Sequence, residues 1–435
     1  MATRRTSSFK PAKRVDVHAW GRHVGAVAMD PRLGYYAFAF TPEWIATGIE
    51  LAPRQMPLSS AVHVFTDLPV ATYKRLPALL ADALPDDFGN ALVNSFMASK
   101  GYSADQVTAL DRLAYMGSRA MGAMQFKPSK GPTRKQPTAL DLGKLVSVAR
   151  EAVHGSIDEG DHTHAALRNI IDVGTSAGGA RAKAVVAINR ESGELRSGQL
   201  DAPPGFEHYL LKFDGMGKDS ELGASQDYGR IEYAYSLMAK AAGIDMSDCE
   251  LLLEGGRAHF MTRRFDRHGS SGRHHMQTLC AMEHLDYKLK GTNAYAQLFV
   301  SIHRLGLPYE DREEAFRRMV FNVCSKNCDD HSKNQSFLLR EGQAAWRLAP
   351  AYDVTFAHNP HGEWTNQHLM SVNGKFKDFT LADVMAEAER FNIGTARRVV
   401  AEVHAALKRW PEFGAAAGVN EEEARRIAGQ HLVLT

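Results

Sequence analysis

The amino-acid sequence predicts an α+β protein whose strands concentrate before residue 267 and whose helices dominate after it. Three observations carry this. Short apolar runs at 23–29, 35–40, 208–213, 250–253 and 258–265 have strand length and are broken by Gly, Pro and Asp. From 293 onward, apolar residues recur at three and four spacings over helix-length stretches. Between the first strands and the rest, KPSKGPTRKQPT at 127–138 is polar, Pro-rich and basic, a connection between two units.

In chain order, residues 1–14 hold Arg4, Arg5, Lys10, Lys13 and Arg14 among small polar residues and read as a disordered basic tail. Residues 15–57, punctuated by Asp30-Pro31, Gly34 and Thr41-Pro42, predict a small antiparallel sheet. Helices are expected at 76–84, 88–99 and 103–116, stopped in turn by Pro85, Gly101 and Gly117. The domains expected are therefore a subdomain at 15–126, a β-rich region at 127–267 and a helical region at 268–435.

Composition narrows the function classes. With 44% hydrophobic and 23% charged residues in a chain of 435, the sequence fits an ordinary globular protein of two or three domains. A formal net charge of +2 removes a whole-protein electrostatic case for nucleic acid and leaves only local patches such as the tail. Four cysteines, Cys249, Cys280, Cys324 and Cys328, do not make a disulfide framework, and the first residues do not read as a secretory signal, so a cytoplasmic protein is expected. No uncharged apolar run approaches the roughly 18 residues of a membrane span. Cys324 and Cys328 near His331 lack a fourth ligand at a zinc-like spacing.

The β-rich region carries the first chemical signals. DVGTSAGGARAKAVVAINR at 172–190 places Gly174, Gly178 and Gly179 before a strand that begins near Lys183. Such a loop lets backbone N–H groups approach phosphate oxygens, although a plain hairpin turn explains the glycines equally well. Ala180 stands where a Walker loop needs Lys. HYLLKF at 208–213 is a strand with Lys212 as its single cation, and a helix at 228–242 carries Glu232 near its start, either an orienting partner for that lysine or an exposed acid. Strands at 250–253 and 258–265 straddle Gly255-Gly256 and run into RRFDR at 263–267, where a two-lobed nucleotide enzyme would place its hinge.

The helical region is organised around NCDDHSKNQSFLLREGQAAWRLAPAYD at 327–353, which reads as loop, strand, turn, strand and acidic loop. A helix at 310–326 delivers the first loop, and the hairpin sets Asp329, Asn334 and Asp353 side by side. Phosphoryl transfer needs such a set: an Asp to accept the hydroxyl proton, and an Asn and a second Asp to hold magnesium. Asp329 to Asn334 has the protein-kinase Asp-x-x-x-x-Asn spacing, but the kinase arginine before the Asp and a Phe-Gly after Asp353 are missing. Solvated loops also collect Asp, Asn and His. Residues 356–378 are irregular and rich in His and Asn, and helices at 381–391, 395–409 and 421–430 complete the region.

In this order the segments resemble the HipA family of toxin serine/threonine kinases, over nearly the whole chain from Val15. LPDDFGN at 84–90 is similar to the family's Leu-Pro-Asp signature, LAYMGSRAMGAMQF at 113–126 to the close of its first subdomain, and Ser176 to Lys183 to its Ser-x-x-Gly-Ala-x-x-Lys loop. Lys212, RRFDR, the Asp-x-His-x-Lys-Asn of Asp329–Asn334 and the Tyr-Asp of Tyr352 and Asp353 follow. The resemblance implies a two-lobed, protein-kinase-like α+β fold with a small N-terminal subdomain, a β-rich N-terminal lobe and an all-helical C-terminal lobe.

The resemblance also implies roles. Asp329 would be the proton acceptor, with Asn334 and Asp353 on magnesium. Gly178, Gly179, Ala180, Arg181, Ala182 and Lys183 would cover the phosphates of ATP, and Lys212 would neutralise them. Arg263, Arg264 and Phe265 would meet the adenine, and His331, Lys333 and Tyr352 would line the site. Ser176 would be a self-inactivating phosphorylation site, since a phosphate there adds negative charge where the nucleotide's own must sit. Arg181 and Ala182 replace a Gln-Glu pair found in the family, and Arg263 replaces an acid, which bears on the fine nucleotide contacts. Implied partners are a helix-turn-helix antitoxin like HipB, operator DNA reached mainly through it, and a translation protein such as an aminoacyl-tRNA synthetase as substrate. Two rivals stay open: a small-molecule kinase with the same parts, and a catalytically silent protein that binds antitoxin and DNA.

Overall fold

Alternation of buried and outward side chains builds the first sheet from β1 (Arg14–Ala19), β2 (Arg22–Asp30) and β3 (Tyr35–Phe40). These strands and β4 (Gln125–Lys127) pair antiparallel in the order β3-β2-β1-β4. The structure is a computed structural model that describes residues 10–131, 182–199, 201–214 and 227–435. Residues 1–9 of the tail, most of the 127–138 connection, and Ser176, Gly178, Gly179, Ala180 and Arg181 lie outside the described residues.

Three expectations for the subdomain change. Residues 12–14 of the segment read as a disordered tail are held: Ala12 donates its N–H to Asp111 at 2.7 Å, and β1 begins at Arg14. The helix expected at 76–84 is one turn, Ala78–Ala81, entered through Pro77 and followed by Asp82, whose side chain bonds Thr278 instead. The helix expected at 103–116 divides into a 3-10 turn, Ala104–Gln106, and α2 (Ala109–Met116), because Thr108 forms its own capping box with Asp111. Ahead of it, Asp86 caps α1 (Asp87–Ala98) by accepting from Gly89 N–H at 2.6 Å.

The second sheet contains β5 (Lys183–Asn189), β6 (Leu195–Ser197), β7 (Phe206–Lys212), β8 (Cys249–Glu254) and β9 (Arg257–Arg263), antiparallel in the order β6-β5-β7-β9-β8. Gly255 and Gly256 join the last pair with φ of +53° and +82°, the left-handed backbone that a tight two-residue hairpin requires. Its register sets Lys183 opposite Lys212. Helix α3 (Tyr228–Ala241) packs against β8 and β9 and buries Glu232 beneath them.

The C-terminal lobe is mainly helical, with α4 (Tyr295–Arg304), α5 (Tyr309–Ser325), α6 (Leu381–Arg390), α7 (Ala396–Lys408), α8 (Trp410–Ala417) and α9 (Glu421–Ala428). It is not all helix: β10 (His275–Thr278), β11 (Ser336–Leu339) and β12 (Trp346–Leu348) make a three-stranded sheet, because β10 pairs with the expected hairpin. The unexpected α8 buries Trp410 with its ring 5.2 Å from Tyr235 of α3, which fastens the two lobes. One hydrophobic cluster runs from Val15 to Leu434, so the subdomain and both lobes share a core.

Candidate active site

The site is built where α5 stops. Lys326 ends that helix in the left-handed conformation, and a short turn, Ser332–Asn334, folds the chain back before β11. There the Asn334 side-chain amide donates to the main-chain carbonyl of Asp329 at 2.8 Å, so the expected pair is joined through backbone. The β11–β12 hairpin then returns the chain to Tyr352, whose hydroxyl donates to the Lys333 carbonyl at 2.6 Å. Asp353 follows with φ of +53°, a strained setting for a residue with a side chain.

Lys212 reaches from the end of β7 into this loop. Its ammonium lies 2.5 Å from Glu232 and also pairs with Asp353, which ties the sheet, α3 and the acidic loop together. Burial opposes the lysine's charge, but Asp353 and Glu232 outweigh it and raise its pKa. Burial likewise pushes the Asp353 carboxyl up, yet Lys212 and Lys183 hold it below its ordinary value. Asp329 behaves oppositely. Although 47% of its side chain is open, desolvation lifts its carboxyl, Asp353 and Asp330 lift it further, and the pull of His331 and Lys212 does not cancel this.

Lys212, Arg263, Arg264, Phe265, Lys333, Asn334, Tyr352 and Asp353 all border one cleft between the lobes. Its walls are otherwise rich in apolar groups, among them Leu210, Met246, Phe260 and Met276, as a pocket for a flat aromatic base requires. The expected adenine contacts divide. Phe265 lies 5.8 Å from the Tyr352 ring, Arg263 is exposed and paired with Glu207 at 3.0 Å, and Arg264 is buried in a two-pronged bond to Asp266 at 2.9 and 2.6 Å. Lys183 is not on the cleft wall: it is buried 3.1 Å from Asp86 of the subdomain. Ala182 is buried too, its carbonyl accepting from Phe213 N–H at 3.0 Å. His331 stands 3.7 Å from Asp329 with its ring against Tyr287.

Asn334 and Asp353 offer an amide oxygen and a carboxylate, hard donors that suit magnesium. Among the described residues no group of three or more His, Cys, Asp or Glu is set to hold a metal. So thin a set fits an ion that arrives with phosphates better than a permanent one.

Sequence reasoning missed Asp330, whose neighbour Asp329 carried the recognisable spacing. Asp330 is buried and accepts from Tyr295 at 2.8 Å, the Leu369 amide at 2.8 Å and the His368 ring at 2.9 Å, so it anchors the loop that displays Asp329. His368 is also buried. Burial disfavours its charge, but Cys328 and Asp330 raise its pKa from 6.5 to about 10. A raised folded-state value stabilises fully below the unfolded pKa and is lost as pH climbs through the folded one. Wild type should therefore lose stability relative to His368→Gln between pH 6.5 and about 10, checked by urea unfolding across that range. Parallel pH profiles for the two proteins would contradict the pairing.

Comparison with known proteins agrees with this architecture. A model of the HipA N-terminal domain matches residues 15–127, and one of the HipA-like C-terminal domain matches 175–430. Among solved structures, the Shewanella oneidensis MR-1 toxin-antitoxin system HipA, HipB and operator DNA complex is similar over 95% of this chain and 94% of that one, at 16% identity and a TM-score of 0.67. At that identity the likeness shows the fold. The Helicobacter pylori proinflammatory kinase CtkA matches 51% of this chain and 92% of its own at 14% identity, and its TM-score of 0.33 is too low to carry an argument. With family models spanning both its N-terminal and C-terminal parts, the chain belongs to the HipA family.

Proposed function

We propose that this protein is an ATP- and magnesium-dependent serine/threonine-protein kinase, the toxin of a toxin-antitoxin pair, acting in the cytoplasm. The observation that carries the reading is Lys212 held between Glu232 and Asp353 on the wall of a cleft that Asn334 also borders, with the Asn334 side chain bonded to the main chain of Asp329 in the same loop. Asp329 accepts the proton of the attacking hydroxyl, and its raised pKa suits a base that must bind a proton and release it. Asp353 and Asn334 would hold magnesium, which supplies positive charge to balance the phosphates. Lys212, kept charged by its two acids, would neutralise the nucleotide's inner phosphates.

The likeness to a toxin solved with HipB and operator DNA supports a helix-turn-helix antitoxin as partner, with DNA met mainly through it. A translation protein such as an aminoacyl-tRNA synthetase is the proposed substrate, and Ser176 the proposed site of self-phosphorylation. The test is incubation of wild type and Asp329→Asn with magnesium and labelled ATP, followed by mass spectrometry of every phosphopeptide. Label on Ser176 in wild type alone is the expected result. Label only on added metabolites would favour a small-molecule kinase. Neither label nor nucleotide binding would leave a silent binding protein.

A further inference from the structure

The cleft has a third wall. Beside the two lobes, the N-terminal subdomain supplies Asp82, Ala83, Met121 and Met124 to its lining, and Asp82 alone of these is charged. The Asp82 carboxylate is fixed. Oδ2 accepts from the Thr278 amide at 2.8 Å and Oδ1 from the Thr278 hydroxyl at 2.7 Å, while that hydroxyl oxygen accepts from Ala281 N–H at 3.2 Å.

Lys333 borders the same cleft, in the turn between Asp329 and Asn334. Its ammonium rests 5.1 Å from the centre of the Tyr287 ring, and among the described residues no carboxylate is within ion-pair distance of it. Both side chains border the cleft; burial pushes the Asp82 carboxyl up while Lys333 draws it down, and Asp82, ahead of Tyr287, Cys280 and Asp86, raises the Lys333 pKa against burial. A lysine on a flexible stem has many orientations, and a fixed anion bordering the same cleft selects among them.

Building on the kinase reading, we propose that Asp82 of the N-terminal subdomain is a positioning residue that holds the Lys333 ammonium toward the space where a nucleotide's phosphates bind. The subdomain is then part of the catalytic cleft. An acid so placed also repels phosphate, but two hydrogen bonds from Thr278 already draw on its charge. Guidance of Lys333 therefore outweighs repulsion, and loss of Asp82 should weaken binding.

The test is a double-mutant cycle in the full-length protein, read as affinity for magnesium with a nonhydrolysable ATP analogue by calorimetry, with thermal unfolding alongside. Asp82→Asn removes the charge but keeps an acceptor for the Thr278 amide and a donor for its hydroxyl oxygen. Asp82→Ser, a smaller neutral acceptor, serves if the amide variant melts early. Asp82→Asn is expected to bind about 10-fold more weakly than wild type, a loss within the range of coupling between neighbouring charges. In a Lys333→Met background the same change should have almost no further effect. Binding equal to or tighter than wild type, or losses that multiply in the double variant, would overturn the proposal, since a purely structural role for Asp82 acts regardless of Lys333. Absence of nucleotide binding by wild type would instead remove the kinase reading, and this proposal with it.

Discussion

Replacing Asp329 by Asn is expected to slow phosphoryl transfer by about 10²- to 10⁴-fold, the contribution of a positioned general base, while nucleotide affinity and stability stay close to wild type. The structure explains why the change should be so selective. Asn334 is tethered to the Asp329 carbonyl and not to its carboxylate, so the loop keeps its geometry when the side chain becomes an amide. Asp353 and Asp330 both oppose a negative charge at this position, so neutralising it relieves repulsion. Single-turnover kinetics with labelled ATP, run beside calorimetric binding of the nucleotide, separate the two quantities. A variant that transfers phosphate within a few-fold of wild type would show that the proton leaves by another route.

Asp266→Asn should cost roughly 3–5 kcal/mol of stability, the usual consequence of removing one partner from a buried ion pair. Asp266 is fully buried and accepts from Arg264 at 2.9 and 2.6 Å, from Arg267 at 2.6 Å and from the Gly122 amide at 2.7 Å. An amide can accept through one atom only, so it would turn a donor toward donors and leave two buried guanidinium groups without their counter-charge. Arg267 also donates to the carbonyls of Ala120 and Gly122, so this one carboxylate fastens the subdomain to the strand leaving the second sheet. Denaturant unfolding should show a large drop in midpoint and a loss of cooperativity as the subdomain separates. Glu412→Gln is the contrast. Its pair with Arg409 is exposed at 54% and 64% of the side chains, and such pairs contribute about 0–1 kcal/mol. Equal costs for the two substitutions would mean that the Asp266 cluster is not the fastening described.

Much of the fold was legible because it is local. Helix α3, the Gly255-Gly256 hairpin and the strands β11 and β12 arise from apolar spacing and turn residues within a dozen positions, and they stand where those patterns put them. Strand β4 and helix α8 were not legible. β4 is three residues long and exists through its pairing with β1, more than a hundred positions away. α8 follows α7 after a single intervening residue and depends on Trp410 finding Tyr235.

At the site, the sequence by itself determined which residue types meet: the Asp329–Asn334 spacing, the hairpin that returns Asp353, and the single cation of β7 at Lys212. Tertiary structure alone decided their partners. Lys212 joins Asp353 across 141 positions, Asp330 finds His368 across 38, and Lys183 pairs with Asp86 of the subdomain. Arg264, which borders the cleft, is bound to an acid two residues on. The physical reason is that periodicity and turn chemistry act between neighbours in the chain, whereas a buried charge must find an opposite charge wherever packing brings one within reach.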